Sequence, residues 1–163
     1  MVRILKIILI LAVMMWALVG AVGNFMDWDY ALDSVAAVTS MTTIESGVGS
    51  WQATSNPLVL WAGALFIVLS KVVSGILCAV GAAHMWRARG GGVAEFAEAK
   101  AFAMAGCAVA VIMLFGGFFV VAESWFELWR AHGPIRQVLS DVFRYASMIA
   151  LIAIFVASPD DQE

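Results

Sequence analysis

Four apolar runs, at about residues 4–25, 58–85, 101–122 and 135–157, each reach the roughly 20 residues that a helix needs to cross a hydrocarbon core about 30 Å thick. In a chain of 163 residues they leave only short connections and no room for a separate soluble domain. Hydrophobic residues make up 63% of the chain and charged residues 13%, with a mean hydropathy of +0.95, far from the balance of a water-soluble domain. The expected fold is an all-α membrane protein: one domain over residues 1–163, a four-transmembrane-helix bundle with short amphipathic helices in the first outer loop. A net charge of −3 and a pI near 5.3 provide no basic stripe, which argues against nucleic acid as a partner.

The first run carries Arg3 and Lys6 at its start and Val19-Gly20-Ala21 further on, features shared with a cleaved signal sequence. The uncharged stretch from Ile7 to Phe25 is already long enough to span, and this favours a retained helix. From Met26 to Pro57 the chain has Asp27, Asp29, Asp33 and Glu45 but no Lys or Arg, as an outer loop would. Within it, Asp33–Val38 and Ser40–Glu45 have the spacing of short helices with one wet and one dry face. Pro57 suits the first turn of the second span, which stops at Trp86-Arg87-Ala88-Arg89 before three glycines. The third run is rich in Ala and Gly, residues that let helix backbones approach closely. Glu123 to Arg136 forms a polar, aromatic connection that includes Pro134, and the chain ends Ser158-Pro159-Asp160-Asp161-Gln162-Glu163.

Arg3, Lys6, Arg87, Arg89 and Lys100 fall on one side of this layout, against Arg130 and Arg136 on the other. Basic residues in short loops are retained in the cytoplasm, so both termini are expected inside. Trp28, Tyr30, Trp51, Trp61, Trp125 and Trp129 then collect at the outer interface and Trp86 at the inner one.

Lys71 is the most informative residue, about thirteen residues or 20 Å from either end of its run. An ammonium there costs about 3 kcal/mol on insertion scales, so it must face protein or water and have a partner, or lose its proton. It reads either as a coupling site or as a structural pair with another helix or subunit. Asp141 is the best partner within the chain, unless Arg144 satisfies it. Glu123, Asp141 and Arg144 lie near the outer mouth with Lys71 beneath them, an arrangement resembling a solute entrance. The plainer reading has Glu123 as a helix cap and Asp141 paired with Arg144 one turn on. Trp125 and Trp129, at helical spacing, and Trp51 form either an aromatic belt or a docking surface. His84 and His132 fall at opposite membrane faces, too far apart to hold one haem, and no cofactor is expected. Cys78 and Cys107 sit in apolar runs as small hydrophobes. None of the common hydrolase, zinc-protease, P-loop or dinucleotide motifs occurs, so no catalytic residues are assigned and no enzyme is expected.

Several landmarks are similar to a bacterial family of predicted small integral membrane proteins of unknown function, the four-span domain of unknown function 2165. They are Asn24 and Asp27, Ser40-Met41-Thr42-Thr43 with Trp51, Asn56-Pro57, Gly81-Ala82, Trp86-Arg87-Ala88-Arg89, Glu123 through Trp129, Phe143-Arg144-Tyr145, and Ile154-Phe155-Val156 with Pro159-Asp160. The chain departs from that family's pattern at Lys71, where an acidic residue is expected, and at Thr42, where the pattern reads Met-Asp-Thr. The resemblance implies four spans in a bacterial inner membrane, and no activity or ligand. The function expected is a non-enzymatic accessory or scaffold subunit in contact with membrane lipid, packed on a larger membrane complex, respiratory or photosynthetic, or on itself. The alternative is a small transporter or channel built on Lys71.

Overall fold

A computed structural model describes residues 1–45, 47–133 and 135–160; Ser46, Pro134 and the terminal Asp161-Gln162-Glu163 lie outside the described residues. The first apolar run forms α1, Val2–Met26. Its buried positions, Lys6, Ile7, Ile10, Val13, Ala17 and Ala21, recur at intervals of three and four and make one face. Ile4, Ile8, Leu11, Met15, Val19 and Val22 are exposed on the opposite side, the pattern of a helix with protein on one side and lipid on the other.

Asp27, at φ −121° and ψ 62°, breaks the helix, and α2 follows at Trp28–Thr39. This is the first of the two expected loop helices. The second does not form: Ser40–Glu45 runs as turns, because Met41 takes a left-handed φ of 55° that no α-helix continues through. The Met41 side chain is fully buried there, with Ile44, Ala122, Phe126, Leu128 and Ala131, in a small apolar cluster capping the end of the bundle opposite the N-terminus. Burying this side chain contributes about 1.5–3 kcal/mol, enough to offset the backbone conformation. Backbone bonds from Thr54 N to Thr39 O (2.8 Å) and His132 N to Thr43 O (3.1 Å) tie the loop down.

The second span, α3, covers Pro57–Ala88; the Asn56 side chain accepts from Leu58 N at 2.9 Å, capping a helix whose first residue is proline. At 32 residues, α3 is about 48 Å long, well beyond the thickness of a hydrocarbon core. It runs antiparallel to α1: Arg3 donates to the carbonyls of Arg89 (3.1 Å) and Gly91 (2.7 Å) at one end, while Gly20 meets Lys71 towards the other. The third span starts with α4, Val93–Ala99, turns at Lys100, and continues as α5, Ala101–Val111. Close approach to α3 requires glycine at position 106. A Cβ there would stand 2.6 Å from Cys78 Sγ and 2.9 Å from Ser74 O. Ser74 Oγ uses this proximity to donate to Gly106 O at 2.8 Å.

From Ile112 to Trp125 the same helix is wound as a π-helix, with Phe126 N bonded five residues back to Val121 O at 3.0 Å. A 3-10 turn, Leu128–Arg130, leads to the fourth span, α6, Ile135–Ala157, which packs against α5 and α1. These four segments are long and apolar enough to cross a membrane. The main core lies among α1, α3, α4, α5 and α6 and includes Ile10, Cys78, Met85, Phe96, Cys107 and Ile149.

Candidate functional site around Lys71

Lys71 lies half-buried on α3, where α1 presents glycine. The absent side chain at Gly20 makes the groove for the lysine: a Cβ there would be 3.3 Å from Lys71 Nζ and 3.5 Å from its Cδ. One turn further along α1, Asn24 completes the site. With its amide oxygen facing the lysine, it accepts from Lys71 Nζ at 3.3 Å while its nitrogen donates to Gly20 O at 3.3 Å, the orientation that satisfies both groups. Asn24 stands two residues before α1 ends at Met26, so Lys71 Nζ lies near the C-terminal end of α1. The midpoint of an overlong helix is therefore not the midpoint of the bundle.

Two cavities meet at Lys71. The larger, about 980 Å³, lies between α2, α3 and the π-helix and is lined chiefly by apolar side chains, among them Val35, Val59, Phe66, Ile67 and Phe118. Gly116 and Gly117 thin its wall, and a Cβ at Gly116 would meet nothing within 4 Å. On the α2 side, Thr39, 5% exposed, has a hydroxyl without a hydrogen-bond partner. The smaller cavity, about 420 Å³, is bounded by Lys71, Trp16, Gly20, Tyr145 and Asp141.

Lys71 and Asp141 thus line one cavity without bonding. Asp141 pairs with Arg144 and accepts from Gln137 Nε2 at 3.5 Å, and Arg144 is exposed. Glu123 sits half-buried at the end of the π-helix and lines neither cavity. Among the described residues no carboxylate is within ion-pair distance of Lys71. An amide oxygen faces Lys71 Nζ instead of a counter-charge. Asn24 escaped assignment to the site in the sequence, although an amide in the last turn of an apolar run, four residues after a glycine, is a signal that was available.

Trp125 and Trp129 do not share a helix face, because the helix ends at Trp125 and Glu127 takes a left-handed φ of 53°. Glu127 pairs with Arg130, and Trp125 meets Trp51 edge-on with ring centres 5.1 Å apart. His84 packs edge-on against Phe102 towards the opposite end of the bundle from His132.

A second polar constellation closes the end where the N-terminus lies. Asp160, just past α6, is 7% exposed and receives Lys6 Nζ at 2.9 Å on one oxygen and Lys100 on the other. Both lysines also donate to Ser158 O, at 2.7 and 3.1 Å. Burial pushes the Asp160 carboxyl up, but the two ammonium groups together outweigh it and hold it below the ordinary carboxylate range. Read from the sequence, Lys6 and Lys100 were only markers of orientation. Their carboxylate partner lies 154 and 60 residues away and could be matched only by folding.

Comparison with curated proteins and with solved structures gives no match. Residues 2–159 match the family described as predicted small integral membrane protein (DUF2165), nearly the whole length of the chain and all four of its long apolar helices, and the chain belongs to that family.

Proposed function

We propose that this is a non-enzymatic accessory membrane protein that works by binding a ligand in the cavity at Lys71. The single observation carrying the reading is that cavity: about 980 Å³, predominantly apolar, with the amino group of Lys71 held at its edge by an amide. Large apolar cavities with a few convergent polar groups are where small molecules bind. The small residues of the spans have work inside the chain, Gly75 against Leu18 and Gly106 against Cys78, so the reading rests on the cavity rather than on a docking face. The protein would present what it binds to other components of the membrane. We place both termini in the cytoplasm of a bacterial inner membrane, because Arg3, Lys6, Arg87, Arg89 and Lys100 gather at one end.

Mass spectrometry of the full chain released from its native membrane tests this. We expect a co-purifying small molecule that Gly116→Leu, which projects into the cavity, displaces. Wild type and variant carrying identical or no small molecules would overturn the reading. Transport is the second reading, favoured by Lys71 lining both cavities. Solute or proton flux into liposomes that responds to Lys71→Met with the fold intact would select it.

A further inference from the structure

We infer that the larger cavity takes an amphiphile with one anionic head and a hydrocarbon chain, the head on Lys71 and the chain along the apolar wall between α2, α3 and the π-helix. This rests on the binding reading above and narrows its ligand. Two observations select the class. Lys71 has an amide but no carboxylate against it among the described residues, so an anion entering the cavity supplies the charge that the fold does not. The wall beyond it is built from Val35, Val59, Phe66 and Phe118, which would leave the hydroxyls of a sugar or nucleotide unpaired, while an inorganic ion would leave most of the volume empty. Asp33, the acidic residue on the lining, is exposed, where water screens it, so it does not cancel the preference. At about 980 Å³ the cavity is at the upper end of the usual range for ligand sites, roughly 300–1,000 Å³, and admits an acyl chain.

The test uses the full chain in phosphatidylcholine nanodiscs with two photoactivatable probes of equal chain length, a diazirine-bearing palmitate and the corresponding alcohol. Peptide mapping then measures labelling of α2 and residues 112–122. We expect the acid to label the cavity at least tenfold more than the alcohol, Lys71→Met to remove that difference, and Lys71→Arg to keep it. Competition by unlabelled palmitate assigns the site to a free acid, and competition by phosphatidylglycerol assigns it to an anionic lipid; both support the anionic head. Equal labelling by acid and alcohol in the wild type, or acid labelling unchanged in Lys71→Met, overturns the inference. In that case, labelling that Gly116→Leu abolishes leaves the binding cavity standing. Absence of labelling by either probe removes both.

Discussion

Replacing Asp160 by asparagine leaves two lysines, Lys6 at 0% and Lys100 at 6% exposure, sharing a buried site with no carboxylate. Removing one partner of a buried ion pair costs about 3–5 kcal/mol, because the remaining charge has already been taken from water. Here two cations remain, and the Ser158 carbonyl that both lysines use offers only partial compensation. We expect Asp160→Asn to shift the unfolding equilibrium in detergent micelles by a factor of about a hundred to several thousand, at roughly 1.4 kcal/mol per decade. Substituting methionine for Lys6 and Lys100 in the Asp160→Asn background should restore most of the loss, since an apolar replacement of the whole group removes the stranded charges. The dependence on pH has a definite sign. The folded-state pKa of Asp160 is below its ordinary value of about 3.9, so its contribution is fully present above that value and disappears as the pH falls through the folded-state value. Reversible denaturation followed by tryptophan fluorescence between about pH 3 and 7 measures both effects. If Asp160→Asn unfolds at the wild-type midpoint with the wild-type acid limb, the three groups do not hold the two ends of the chain together.

Gly106→Val should destabilise by about 1–3 kcal/mol or more, since its Cβ meets the backbone oxygen of Ser74 at 2.9 Å, and the loss is read from the same denaturation curves. Asn56→Ala removes the cap on Leu58 N and should cost about 1 kcal/mol, visible as faster hydrogen exchange in the first turn of α3. For orientation, Ser55→Cys in the outer loop should react with a membrane-impermeant thiol reagent in intact cells, and Ala94→Cys only after lysis; both positions are exposed, and the native Cys78 and Cys107 are buried, giving little background. The reverse labelling pattern would invert the proposed topology.

The four spans and the helical class were legible in the chain, because a bilayer core demands runs of fixed length and composition that need no knowledge of neighbours. The start of α3 at Asn56-Pro57 and the pairing of Asp141 with Arg144 were equally local, three residues apart or less. The turn at Met41 was not local: helical spacing over Ser40–Glu45 lost to burial of one side chain in a cluster assembled from the first loop and the end of the third span. Lys71 stood out in the sequence as a cation within an apolar run. Which atom answers it depended on the depth at which α1 ends beside an overlong α3 and on a glycine opening a groove. Lys6, Lys100 and Asp160 come from the beginning, middle and end of the chain, and only antiparallel packing of the helices brings them into one site. Hydropathy is a property of segments and can be read along a chain, whereas the compensation of a buried charge depends on distances between segments, which the tertiary structure alone decides.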